Sequence, residues 1–262
     1  MSTRFRSALV AGAAAVLGLA LTACGGSSDS GQQAPPARTL TVSAAASLTS
    51  AYQQLGTEFQ AANPGTTVTF NFGGSDSLAQ QVVQGAPADV LATASSKTMQ
   101  TAVQAGKIAD EPVIYATNSL QIAVAPNNPK AIASLADLAK PGVVSVVCAP
   151  AVPCGAAAEA AEKAANVTLT PASEEQDVKG VLNRVQTGNA DAGLVYVTDV
   201  RSAQGKVTGV DFPQASAQGA VQSYPIGVVA GSANADLART WIEFVRGPQG
   251  TAALQQAGFV TK

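Results

Sequence analysis

The chain has 262 residues and a formal net charge of −2, from 15 Lys and Arg against 17 Asp and Glu. No basic block stands anywhere along it, which argues against a nucleic-acid partner. It holds no histidine, so the commonest general base and the commonest metal ligand are both missing.

The N-terminus opens with Arg4 and Arg6 ahead of an apolar run from about Ala8 to Leu21 that ends in small residues. That is the pattern of an export signal over residues 1–23, too short and wrongly flanked for a bilayer span. Its end, "LTAC", resembles the lipobox of bacterial lipoproteins, in which the cysteine, here Cys24, becomes the acylated first residue. Residues 24–38 are Gly, Ser, Gln and Pro with almost no apolar side chain, a flexible tether that cannot contribute to a core. Without the signal the formal charge becomes about −4. The remaining length suffices for one large core or two small ones, and two are expected.

From residue 39 the chain alternates. Strands are predicted near 39–44, 66–72, 89–94, 113–117, 120–125, 143–148, 192–197, 209–212 and 224–229, and helices over 47–61, 76–84, 155–165, 178–187 and 235–246. The first helix rests on Leu48, Tyr52, Leu55 and Phe59 at helical spacing, the last on Leu237, Trp241, Phe244 and Val245. Strands alternating with helices indicate an α/β protein with largely parallel sheets.

Four strand-to-helix junctions share one chemistry: "AAASL" at 44–48, "GGSDSL" at 73–78, "VPCGAA" at 152–157 and "SEEQDVKG" at 173–180. At a helix start the first backbone N–H groups lack partners within the helix, and the macrodipole makes that end partly positive. Small residues let an anion approach those groups, and a serine adds a hydroxyl donor to its amide. Taken singly, Ser47 or Ser75 reads first as an ordinary helix cap, and it is the recurrence of the pattern that favours a ligand role. A catalytic role for either lacks a histidine to activate it and a Ser-x-x-Lys motif around it. The acids of "SEEQD" read as complements to the dipole of the helix at Val178 rather than as a glycosidase pair or a metal site.

Two further cysteines, Cys148 and Cys154, stand together in "CAPAVPC". Outside the cytoplasmic membrane such a pair reads as a disulfide, the alternatives being two free buried thiols or a metal pair short of ligands.

The stretches "VSAAASLTSAY", "FGGSDSLAQQVVQGAPADVLATAS", "NSLQIAVAP", "VPCGAAA", "QDVKGVLNRVQTGNADAGLVYVTD" and "GPQGTAALQQAGF" together resemble the substrate-binding proteins of bacterial molybdate/tungstate ABC importers, in family order and over nearly all of the chain from Arg38 onward. The resemblance implies a type II periplasmic binding protein fold: two α/β lobes joined by two crossover strands, with the ligand in the cleft. Lobe one would combine 39–119 with 225–262, lobe two would be 120–224, and the crossovers would lie near Leu120–Ala125 and Tyr224–Val229. It implies an extracytoplasmic, lipid-anchored, monomeric carrier that captures molybdate or tungstate and delivers it to a membrane permease, without enzymatic activity, cofactor or cation site. Another tetrahedral oxyanion, sulfate or phosphate, is the alternative. Carried over residue by residue, the ligand set falls on Ser47 and Ser75 through hydroxyl and amide, on Cys154 and Val178 through amides, and on Tyr196 through its phenol. Such a set is all donors, suited to a fully ionised dianion, whereas phosphate usually keeps a proton and needs an acceptor. Asp76 is the one acceptor nearby, and it is expected to sit in the first helical turn facing solvent.

Overall fold

The computed structural model describes residues 37–212 and 219–262; Arg4, Arg6 and Cys24, with the signal and most of the tether, lie outside them. In chain order the elements are β1 (Arg38–Ala45), a 3-10 turn (Ala46–Leu48), α1 (Thr49–Ala62), β2 (Thr66–Gly73), α2 (Ser75–Val83), β3 (Val90–Ala92), α3 (Ser96–Gln104) and β4 (Val113–Val124). Then follow α4 (Leu135–Leu138), β5 (Ser145–Cys148), α5 (Pro153–Ala165), β6 (Ser173–Glu175), α6 (Val178–Gln186), β7 (Ala192–Tyr196), α7 (Val197–Ser202) and β8 (Thr208–Val210). The chain closes with β9 (Val221–Val228), α8 (Ala235–Arg246), α9 (Pro248–Ala257) and β10 (Val260–Thr261).

The strands run in the order β2-β1-β3-β9-β4-β7-β5-β6. β1 pairs parallel with β2 and β3, and β5 parallel with β6 and β7, whereas β4 and β9 run antiparallel to their neighbours. The sheet is therefore mixed: two parallel sets are stitched together by two antiparallel strands. β4 is the main stitch. Its residues up to Ser119 pair with β9, and from Leu120 onward it pairs with β7. The sequence suggests two strands here, 113–117 and 120–125, with Asn118 and Ser119 between them. The structure corrects this to one strand, since those backbone groups stay in the ladder against β9.

Two large cores lie on either side of that passage. One gathers Leu40, Tyr52, Phe59, Tyr224, Ile226 and Trp241, and the other Leu120, Ile122, Val146, Val181, Leu194 and Tyr196. The first is built around aromatic rings, with Trp241 meeting Tyr52 and Phe59 edge-on at centroid distances of 5.5 and 5.2 Å, a favoured geometry for the ring quadrupoles. The second is aliphatic, and α5 packs on it through Ala157, Ala158 and Ala161. The periodic run Leu48, Tyr52, Leu55, Phe59 is wholly buried, so the apolar spacing reports the core face of α1 faithfully. The chain crosses between the cores at 119/120 in β4 and again where Ala220, in the second core, hands over to β9.

Cys148, at the end of β5, and Cys154, in the first turn of α5, form a disulfide with their Cα atoms 5.7 Å apart. Among the described residues no helix is long and apolar enough to cross a membrane.

Candidate functional site

The parallel strands deliver four helix starts to one place. Ser47 in the 3-10 turn before α1, Ser75 at the first position of α2, Cys154 in α5, Val178 opening α6 and Tyr196 at the end of β7 all line a single cavity. The five residues expected to form a ligand set are thus brought together, two from the first core's side and three from the second's. Ala45, Ala46 and Ala94 complete much of the wall, so small side chains keep the backbone close to whatever occupies the space. The cavity is small, about 20 Å³, enough for one compact group.

The hydrogen bonds show how each hydroxyl is disposed. Ser75 Oγ accepts the N–H of Ala94 at 3.0 Å and donates to nothing among the described residues. Ser47 Oγ lies 2.7 Å from the hydroxyl of Tyr224. The Tyr196 hydroxyl is buried without a partner in hydrogen-bond distance among the described residues. An unpartnered buried hydroxyl is costly, so its presence at a cavity wall marks a place for a ligand atom. Burial pushes the Tyr196 phenol well above its ordinary range, which keeps its hydrogen on the oxygen.

The helix starts are equally disposed. Neither serine caps its own helix: α2 begins from Gly74, and the 3-10 turn from Ala45, without a side-chain cap. α5 begins from Val152 with Pro153 at its first position and again no side-chain cap, leaving the Cys154 amide free of one. α6 is capped by Asp177, whose carboxylate accepts from Gly180 N at 2.9 Å, a bond that leaves the Val178 amide to the cavity. Unsatisfied N–H groups at converging helix starts carry the positive ends of the macrodipoles.

The α5 start is held by local chemistry. The 148–154 disulfide closes the loop, and a Cβ on Gly155 would stand 1.9 Å from the Ala149 carbonyl, so only glycine lets the loop fold against the helix here. Asp199 plays the same part for β7. Its carboxylate accepts the Tyr196 N–H at 3.1 Å and pairs with Lys179 at 2.9 Å. Burial pushes this carboxyl up against the pull of Lys179.

Asp76 does not line the cavity. It is also not turned wholly to solvent, which corrects the sequence reading: its Oδ1 is buried and unpartnered, beside Gly74. The reason is long-range and invisible in the local sequence. Gly74 abuts the other side of the molecule, where a Cβ on it would meet the Gln176 carbonyl at 2.4 Å. The backbone there has φ −61° and ψ 130°, which any residue adopts, so the demand for glycine comes from this contact. Of the "SEEQD" segment, Asp177 is the acid that caps α6, as expected before that helix, whereas Ser173–Glu175 form the edge strand β6. No cluster of three or more Cys, Asp or Glu is arranged for a metal ion among the described residues.

A profile of bacterial extracellular solute-binding proteins matches residues 40–260. The chain is 47% identical, over 94% of its own length and 94% of the relative's, to the molybdate-binding protein ModA of Mycobacterium tuberculosis. Among solved structures it is similar to the periplasmic molybdate-binding protein of Azotobacter vinelandii, with a TM-score of 0.74 at 20% identity over 84% of this chain and 98% of that one. It is also similar to the sulfate-binding protein SubI of M. tuberculosis, with a TM-score of 0.73 at 20% identity over 85% of this chain and 86% of that one. At these identities the two structures speak to fold alone, that of the type II periplasmic binding proteins.

Proposed function

The chain belongs to the bacterial extracellular solute-binding proteins, a family of carriers rather than enzymes, and from that premise we propose that it captures molybdate, and tungstate with it, for delivery to an ABC importer. The observation that carries this reading is the Tyr196 hydroxyl, buried and unpartnered on the wall of a cavity that also receives Ser47, Ser75 and two helix-start amides. Donor groups from five residues, none of them charged, suit a small tetrahedral dianion. The anion gives up strong hydration on entry, and each donor returns a charge-assisted hydrogen bond. Binding a double charge with dipoles and hydroxyls rather than with Arg or Lys keeps the complex reversible, as a carrier requires.

The ligand set is Ser47, Ser75, Cys154, Val178 and Tyr196, and the two sides are lobes that close on the anion, the return to the first lobe falling after Ala220 rather than at 224, because Tyr224 belongs to the first core. The Gly74–Gln176 approach is then the seam of the closed form. The chain acts outside the cytoplasm as a monomer, tethered by a lipid on Cys24, and hands its cargo to a membrane permease. Sulfate is the second reading, favoured by the same donor-only chemistry and by the fold of SubI. Phosphate, which brings a proton, finds no acceptor among the five, and the carboxylate of Asp177, which also lines the cavity, is engaged by the Gly180 N–H.

Calorimetric titration of ligand-stripped protein with molybdate, tungstate, sulfate and phosphate tests this. Tight binding of molybdate and tungstate is expected. Tighter sulfate binding would transfer the assignment to sulfate, and no binding of any of the four would refute an oxyanion site.

A further inference from the structure

The Ser47 hydroxyl has its orientation decided by residues that the cavity does not touch. Tyr224, on β9, is fully buried, and among the described residues its hydroxyl has two partners within 3.5 Å, Ser47 Oγ at 2.7 Å and Asn118 Nδ2 at 3.5 Å, with the Tyr196 hydroxyl nearby but beyond that distance. The Asn118 amide is fixed in sense, because its Oδ1 accepts from Ser119 N at 3.0 Å and its Nδ2 donates to Thr198 Oγ1 at 2.8 Å. An amide nitrogen cannot accept a hydrogen bond. The Tyr196 hydroxyl, whose ring centroid is 6.2 Å from that of Tyr224, has no partner within hydrogen-bond distance among the described residues. Ser47 Oγ is therefore the one acceptor for the Tyr224 hydrogen among the described residues. Once Ser47 accepts there, its own hydrogen has no protein acceptor and is left for the cavity.

We infer that Tyr224 and Asn118 are positioning residues that aim the Ser47 hydroxyl hydrogen at the bound anion. This rests on reading the cavity as an oxyanion site. The relay runs Asn118 N–H to Tyr224 O–H to Ser47 O–H, each donor polarising the next. It gives Ser47 the arrangement that Ser75 receives from the Ala94 N–H, a hydroxyl whose acceptor side is occupied from within the protein. Asn118 also stands one residue before the passage between cores in β4, and its second hydrogen goes to Thr198 on α7, two residues beyond Tyr196. The same amide thus touches a helix behind Tyr196 and the tyrosine behind Ser47, so the first lobe's donor is aimed through a residue anchored to the second.

The test is a double-mutant cycle read by molybdate titration of the ligand-stripped chain. Tyr224→Phe is expected to weaken molybdate binding about tenfold, and Asn118→Ala about threefold, effects of the size of a lost or misdirected hydrogen bond. In a Ser47→Ala background each substitution should cost less than about twofold, because the hydroxyl they aim is gone. Thermal denaturation of the ligand-free variants accompanies each titration. Equal fold-losses in both backgrounds would show that Tyr224 and Asn118 act on the fold generally and would overturn the inference while leaving the oxyanion reading intact. A wild-type chain that binds neither molybdate nor sulfate would overturn that reading and the inference together. If Tyr224→Phe fails to fold, the Asn118→Ala arm decides alone.

Discussion

Helices α2 and α3 both open at serines, and the serines do opposite things. Ser95 is a true cap: its Oγ accepts from Thr98 N at 3.1 Å and pairs with the Thr98 hydroxyl at 2.8 Å. Ser75 leaves its own helix uncapped, takes the N–H of Ala94 from the loop leading to α3, and keeps its hydrogen for the cavity. One hydroxyl is used up inside its helix, and the other is held in readiness. Serine at a helix start is thus a structural residue when its oxygen faces the helix's own amides, and a ligand-binding one when another element occupies that oxygen.

The contrast can be broken by exchanging the two losses. Ser75→Ala should weaken oxyanion binding by about 1.5–3 kcal/mol, the range for a hydrogen bond to a charged partner, whereas Ser95→Ala should leave binding alone and lower fold stability by about 1 kcal/mol. Calorimetric titration beside urea denaturation measures both. Ser75→Ala also strands the Ala94 amide, so it is affinity, and not stability, that separates the pair.

A second test sharpens the role of α2's uncapped start. Gly74→Val would place a side chain against the Gln176 carbonyl and hold the two sides apart, at a cost of about 1–3 kcal/mol if overpacking there cannot relax. The loss should appear in ligand affinity, with the ligand-free melting temperature unchanged. A fall in ligand-free stability instead would mean that the two sides stay packed without ligand.

The third test compares the α2 start, held by a hydrogen bond, with the α5 start, held by a covalent loop. In the chain-entropy picture the short 148–154 bridge stabilises the fold by about 2–2.5 kcal/mol. It also orders the Cys154 amide before the anion arrives. A Cys148→Ser/Cys154→Ser double variant should bind several-fold more weakly with the same preference among anions, because the donor types are unchanged. An unaltered dissociation constant would show the loop ordered by Gly155 packing alone.

The smallest effect expected is that of alkaline pH. Ionisation of Tyr196 would remove a donor, but burial holds its phenol well above the ordinary value of about 10, so the group stays protonated as pH rises past that value. Affinity should hold within about twofold from pH 7 to about 9.5; a decline beginning near pH 9 would mean that the hydroxyl is exposed to water.

The distinction between Ser75 and Ser95 is also where the sequence stops being legible. The apolar spacing of Leu48, Tyr52, Leu55 and Phe59 suffices for α1, and the small residues of "AAASL" and "GGSDSL" suffice to mark anion-friendly junctions. Which serine caps and which binds depends on the Ala94 amide, 19 residues away from Ser75, and the positioning of Ser47 depends on Tyr224, 177 residues away. No local pattern carries such contacts; the junction chemistry marks the candidate stretches, and the ligand set as a whole comes through the family resemblance. Asn118 misleads for the same reason, since a polar pair at 118–119 looks like a break until both of its neighbouring strands are present. The short edge strands β6 and β10 carry too few residues for a period to show.

The most direct test of the account is Tyr196→Phe, measured by molybdate titration and by denaturation of the ligand-free protein. The substitution removes a buried hydroxyl that satisfies nothing in the protein, so fold stability should be unchanged or rise. Molybdate affinity should fall by about 1.5–3 kcal/mol, the worth of one hydrogen bond to a charged ligand. Unchanged affinity with reduced stability would contradict the central claim that this hydroxyl is held for the anion.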